Sequence, residues 1–446
     1  MPLGRIGLYD LLLPVGALAM APGYLIRSLR RPEYREHFSE RCGILPAELE
    51  SRLRHSHHSR VGPVWIQAVS VGEVSLARAI LGAMQRRVVV SSTTPAGRAA
   101  AAGISSPLLE GVFHFPIDWF PFVRRTLDTV RPALFVSMET EIWPGLLREC
   151  GRRGIPVVMV NGRISKRSHD RYLRFHGLFR EPLQAVRLAC MQSETDAARI
   201  RAIGVPPDRV VVTGNMKFDA GTAGGGPSTA LRESLASRAP GARGASGDRV
   251  VLVAGSTSPG EEEMVLDALG MVEVSCSREV ALVLAPRHPE RFDEVARLME
   301  RRGVAFVRRS MMGDTPGPSF KVLLLDTLGE LAGLYALASV AFVGGSLVPR
   351  GGQNMIEPAA HGVPVLFGPH TGNFDSVATE LIQAGAGFRV TSAADLAAAW
   401  RSLIADEPLR RRAGDAGRAL VESHKGATRR TLEHLLPLLP ERGKDD

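Results

Sequence analysis

Three glutamates stand where a carboxylate could move a proton. Glu73 follows Ser70, Val71 and Gly72 at the point where an apolar run gives way to a helical pattern, and Glu139 and Glu141 flank Thr140 just ahead of Trp143 and Pro144. A carboxylate at a strand-to-helix turn can act as a general base. The same position also suits a plain helix-start carboxylate, and one member of the 139/141 pair reads as structural. Lys217, in the run Gly214-Asn215-Met216-Lys217-Phe218-Asp219, offers a cation for a substrate carboxylate or for developing phosphate charge.

The second half gathers glycine-rich and cationic turns. Residues 344–354 read Gly-Gly-Ser-Leu-Val-Pro-Arg-Gly-Gly-Gln-Asn and lead from an apolar run into a helix near Ile356 and Glu357. Glycine pairs let backbone amides approach a ligand, and a helix N-terminus favours phosphate, so the loop reads as a phosphate cradle; two tight turns are the purely structural alternative. Glu357 could hold ribose hydroxyls or offset the helix dipole. Ala285-Pro286-Arg287-His288-Pro289-Glu290-Arg291 forms a cationic turn suited to a phosphate or a base edge, and Asp326, Thr327, Leu328, Gly329 and Glu330 follow another apolar run. Three such turns assign this half the nucleotide part of an activated donor.

These residues need strands to position them, and the apolar runs supply candidates. In the first half they lie at 64–69, 87–91, 133–137, 156–160, 188–192 and 210–213; in the second at 250–254, 280–284, 304–307, 321–325, 340–343 and 364–367. Alternating with helical patterns, they predict two parallel sheets of βαβ units, whose ligands bind beyond the carboxyl ends of the strands. The stretch at 220–248 is rich in Gly, Ala, Ser, Pro and Arg and reads as a linker, interrupted by a short helix. The expected organisation is a segment at 1–35, an acceptor-binding domain at 36–219, the linker, and a nucleotide domain at 249–446.

Composition narrows the partners. The 446 residues carry a formal net charge of +9, which suits nucleic acid, an anionic membrane or phosphorylated small molecules. Residues 6–26 are nearly uncharged and are followed by Arg27, Arg30, Arg31 and Arg35. That pattern predicts an N-terminal anchor or interfacial helix on an anionic cytoplasmic leaflet, the alternative being a first helix packed on its domain. No DNA-binding motif is present, so nucleic acid is excluded as the expected partner. There is no P-loop, no dinucleotide-binding G-x-G-x-x-G and no G-x-S-x-G elbow, which removes the main support for ATP hydrolysis, hydride transfer and esterase activity. No Asp-x-Asp pair offers a clamp for a divalent cation, so metal-independent chemistry without a cofactor is expected. His55, His57 and His58 lie among arginines and read as a solvated surface.

Taken in order, WIQAVSVGEVS, STTPAG, METEIWPGLL, NGRIS, GNMKFD, AGSTSPGEEE, APRHPERF, DTLGEL, AFVGGSLVPRGGQNMIEP and LFGPHTGNF closely resemble the bacterial 3-deoxy-D-manno-octulosonic acid (Kdo) transferases across nearly the whole chain. The resemblance implies a GT-B glycosyltransferase, two doubly wound Rossmann-like domains facing a central cleft. It implies CMP-Kdo as donor, a lipid A precursor as acceptor, and residence at the cytoplasmic face of the inner membrane beside anionic lipids. By position, Glu73 matches the family's general base, and Glu139 and Lys217 match residues that stabilise the transition state. Pro286 and Arg287, then Leu328, Gly329 and Glu330, then Asn354, Met355, Ile356 and Glu357 match its CMP-contacting segments. Gln353 stands where the family usually has histidine, and Leu328 where it has methionine. A nucleotide-sugar epimerase and a non-catalytic sugar-nucleotide binding protein are the competing readings.

Overall fold

The computed structural model describes residues 36–56, 61–220, 229–236, 249–275, 278–313 and 320–439. The apolar segment at 6–26 with its arginines, most of the 220–248 linker, and His57 and His58 lie outside the described residues. The short helix expected within the linker is Thr229–Ala236. Among the described residues no helix is long and apolar enough to cross a membrane.

The chain forms two compact units, one made of Met1–Met216 with Gly426–Asp446 and the other of Lys217–Lys425. The first is built on seven parallel strands: β1 (Val64–Gln67), β2 (Val88–Ser92), β3 (Leu109–His114), β4 (Leu134–Met138), β5 (Val157–Gly162), β6 (Val186–Met191) and β7 (Val210–Val212), in the order β3-β2-β1-β4-β5-β6-β7. β1, β2, β4 and β5 are buried at every position, as in a sheet covered on both faces. Alternate residues supply two cores. Trp65, Phe113, Phe135 and Met159 face one way, and Val64, Ile66, Val90, Val136 and Val158 the other.

The second unit repeats the plan with β8 (Val250–Thr257), β9 (Val280–Pro286), β10 (Phe306–Arg308), β11 (Val322–Leu324), β12 (Val340–Val343), β13 (Val365–Phe367) and β14 (Gly387–Arg389), in the order β10-β11-β9-β8-β12-β13-β14. In each sheet the order reverses beside the first strand, between β1 and β4 and between β8 and β12. A topological switch point of this kind opens a crevice at the strands' carboxyl ends. Glu73 and Glu139 follow the two strands at the first switch point, and residues 344–357 follow one strand of the second.

Two strands had no counterpart among the apolar runs. β3 carries Glu110 and Gly111 and is half-exposed over most of its length, and β14 has three residues. The chain's end also departs from its order in sequence. Residues from Gly426 onward join the first unit, where Ala427 and Leu435 of the helix Ala427–Leu435 are buried in the same core as Ile80, Val158 and Met216. Arg430 Nε donates to Thr213 O at 2.9 Å, and the Thr431 and Thr213 hydroxyls meet at 3.0 Å. Leu435→Ala is therefore expected to cost the first unit about 2–5 kcal/mol. Thermal unfolding should show the first unit's transition falling while the second unit's stays in place.

Candidate active site

Glu73 is placed by its helix, Val71–Met84, whose N-cap is Ser70. The Glu73 N–H donates to Ser70 Oγ at 3.3 Å, the Ser70 hydroxyl donates to Glu73 Oε1 at 2.9 Å, and the Val69 N–H donates to Glu73 Oε2 at 2.8 Å. This is a capping box whose glutamate reaches one residue further back than usual, so the helix-start role is met and the carboxylate's rotamer is fixed. The 91–97 segment braces the same turn. Ser92 Oγ and Thr94 Oγ1 both donate to Val69 O, at 3.1 and 2.6 Å.

Glu139 leaves β4 with φ 56°, a left-handed conformation that a non-glycine residue adopts at a cost, and its N–H donates to Val160 O at 2.8 Å. Glu141 follows, mostly buried. Its carboxyl is pushed up to about 7, first by burial and then by the charges of Glu73 and Glu139. The three carboxyls therefore share one electrostatic neighbourhood at the first switch point. The helix after them, Pro144–Arg153, begins on a remote cap: Asp118 accepts from Gly145 N–H at 2.8 Å and Leu146 N–H at 2.7 Å.

Asn161, fully buried at the end of β5, accepts from Met216 N–H at 2.9 Å and so fixes the residue before Lys217. Lys217 itself opens the second unit in the short helix Lys217–Ala220, with its ammonium 5.4 Å from the centre of the Phe374 ring. The first unit thus brings Glu73 and Glu139 together, and Lys217 belongs with the second.

At the second switch point the glycine loop is held by the protein's own carboxylate. Glu261, fully buried at the start of the helix Glu261–Ser275, accepts from four backbone amides: Ser258 at 2.8 Å, Gly345 at 2.6 Å, and Ser346 and Leu347 at 2.9 Å each. The amides of residues 345–347 are therefore already bonded to an anion, which corrects the reading of the first glycine pair as a phosphate cradle. Gly344 is required for another reason: a Cβ there would lie 2.5 Å from Ser256 O. Glu262 is bound alongside, accepting from Thr257 Oγ1 at 2.9 Å and from Arg291 NH1 at 2.6 Å.

The later part of the loop meets the turn that follows β9. Arg287, exposed at the exit of β9, donates through Nε to Gln353 Oε1 at 3.2 Å. Asn354 Nδ2 donates to Glu357 Oε1 at 3.0 Å, and Asn354 Oδ1 accepts from Ile356 N–H at 3.1 Å. Burial raises the Glu357 carboxyl, opposed by the Asn354 hydrogen bond and the Arg287 charge. Met355 and Ile356 are fully buried side chains, so any ligand contact of theirs is through the backbone. At the exit of β11, Leu328 is 74% exposed and Gly329 has φ 86°. Glu330 is engaged by Thr327 Oγ1 and by Arg309 NH2, the latter at 2.8 Å. Pro286 ends β9, and Arg287, residues 328–330 and residues 354–357 follow β9, β11 and β12, at the carboxyl edge of one sheet.

Sequence reasoning missed Asp118, Arg309, the loop-anchoring role of Glu261 and the raised pKa of Glu141. Glu261 lies in the AGSTSPGEEE string at the start of a helix, and that position is its only signal in the sequence.

Two parallel doubly wound units define a two-domain GT-B glycosyltransferase fold, and comparison with known proteins agrees. The UDP co-structure of MnaA from S. aureus aligns over 86% of this chain and 99% of its own, with a TM-score of 0.53 and 13% identity, a likeness of fold alone. Residues 36–220 match the family described as 3-deoxy-D-manno-octulosonic-acid transferase (kdotransferase). The 3-deoxy-D-manno-octulosonic acid transferase of Bordetella pertussis is 38% identical over 384 residues, covering 84% of this chain and 86% of that protein. That of Haemophilus influenzae is 33% identical over 423 residues, covering 92% and 93%. The chain belongs to the Kdo transferase family and is a glycosyltransferase.

Two expectations follow. Glu261→Ala strands four buried amides and should cost the second unit about 3–5 kcal/mol in denaturant unfolding. Glu141 has a folded pKa raised from an ordinary carboxyl value to about 7, so the stability it contributes is present below the ordinary value and lost as pH rises through 7. Glu141→Gln should accordingly gain on the parent between pH 5 and 8, by on the order of 3 kcal/mol, whereas a pH-independent difference in urea midpoint would contradict the assignment.

Proposed function

We propose that this Kdo transferase moves Kdo from CMP-Kdo to a lipid A precursor in a single inverting displacement, with Glu73 as the general base. The observation that carries the reading is the sorting of charge between the two switch points: three carboxyls at the first, and Arg287 with Asn354 and Glu357 at the second. The acceptor hydroxyl oxygen forms the new bond to the anomeric carbon while its proton passes to the Glu73 carboxylate. The bond from that carbon to the CMP phosphate oxygen breaks, and its electron pair leaves with CMP. One base and a cationic setting for the departing phosphate suffice, without a covalent enzyme intermediate.

Arg287 and Lys217 supply that cationic setting in place of a metal ion, and the Glu139 carboxylate stabilises positive charge developing on the sugar. Glu141, neutral below about 7, keeps the cluster from carrying three charges at once. Pro286, Leu328, Gly329, Met355 and Ile356 complete the CMP edge through backbone and apolar contacts. The apolar run at 6–26 and its arginines support placement at the cytoplasmic face of the inner membrane, where a phosphorylated lipid acceptor lies among anionic lipids. Identity of 33–38% to transferases over most of the length leaves the epimerase and non-catalytic readings without an observation in their favour.

Incubation with CMP-Kdo and tetraacylated lipid A precursor should yield Kdo-bearing lipid and stoichiometric CMP; CMP release without glycosylated lipid, or no reaction, would refute the proposal. Glu73→Gln keeps an acceptor for the Val69 N–H and should leave CMP affinity unchanged while lowering kcat by about 10²–10⁴. Near-parental turnover by this variant would remove Glu73 from the role of base.

A further inference from the structure

Gln353 lies in the donor half of the site, yet its side chain bonds to a protein group. A guanidinium has five N–H donors and no acceptor, so only the carbonyl end of the amide can face Arg287, and the 3.2 Å contact between Arg287 Nε and Gln353 Oε1 fixes which way round the amide sits. Nε2 lies beside Gly345, where an added Cβ would stand 3.2 Å from it, so a side chain at 345 would push the amide out of line. The backbone is tied at the same place: the Gln353 N–H donates to Gly344 O at 3.1 Å, and the Arg287 N–H to Thr257 O at 3.0 Å. Arg287 NH1 and NH2 have no hydrogen-bond partner among the described residues, and the same guanidinium lowers the Glu357 carboxyl by its charge.

We infer that Gln353 is a positioning residue for donor binding: it holds the Arg287 guanidinium through Nε, so that the two terminal nitrogens are presented as a fixed fork to the nucleotide phosphate. The role rests on the assignment of this sheet edge to CMP. An exposed arginine samples many rotamers, and one anchored at Nε loses less freedom when a phosphate binds. The effect falls first on donor affinity, because the phosphate that the anchored fork meets is already anionic in the bound donor and in free CMP.

The test is a set of full-length variants titrated with CMP by calorimetry and assayed for donor KM and kcat, with melting temperature as the control for folding. Gln353→Leu, which removes the acceptor, should weaken CMP roughly tenfold and raise donor KM alike, with kcat changed less, the scale of one hydrogen bond to a charged group. Gln353→Glu should restore binding. Gln353→His should bind like the parent at pH 8 and fall below it at pH 5.5, because a neutral imidazole accepts from the guanidinium and an imidazolium repels it. In an Arg287→Ala background, Gln353→Leu should have no further effect. Parental CMP affinity in Gln353→Leu, additive losses in the double variant, or a Gln353→His curve parallel to the parent's would overturn the positioning role with the CMP assignment intact. Parental CMP affinity in Arg287→Ala would overturn the assignment itself, and the positioning role with it.

Discussion

The second unit depends on one buried carboxylate. Glu261 is fully enclosed and receives four backbone N–H groups, one from its own turn and three from a loop 84 to 86 residues further along the chain. A charge so deep is tolerated only when its oxygens are fully bonded. The bonds also fix where the loop after β12 leaves the sheet, and hence where Gln353, Asn354 and Glu357 stand relative to Arg287. The glycines serve this packing, with a Gly344 Cβ excluded by Ser256 O and Gly345 turning at φ 67° to bring its amide to the carboxylate.

The first unit uses the same local device for a different end. In both sheets the first strand ends in a small-residue turn and a glutamate opens the next helix. Glu73 closes on its own turn, bonding Val69 and Ser70, and belongs to a group of three carboxyls. Glu261 reaches across the switch point and is consumed by backbone. One pattern thus yields a member of a carboxyl cluster in one unit and a structural strut in the other. The difference lies in what the neighbouring strand offers: β4 runs into Glu139 and Glu141, whereas β12 runs into a row of amides that take Glu261 as their acceptor.

That difference marks the limit of what the sequence could disclose. Central strands were legible because parallel sheets bury both faces and leave continuous apolar runs; β3, broken by Glu110 and Gly111, and the three-residue β14 were not. Glu73, Glu139 and Arg287 do stand in the turns after strands, as expected, since position after a strand is a local property. The use of each group was not local. Asp118 caps a helix from 27 residues away, and Arg287 meets Gln353 across 66. The return of the chain's end to the first unit is likewise set by tertiary packing of Ala427 and Leu435, which no linear pattern announces.

The most direct measurement is a crystal structure of the full-length protein with CMP. The phosphate should lie within hydrogen-bonding distance of the Arg287 guanidinium, with the nucleoside against residues 328–330 and 354–357, and Glu261 still bonded to the amides of residues 345–347. A phosphate seated on those three amides with Glu261 displaced, or CMP bound away from this edge of the second sheet, would contradict the account.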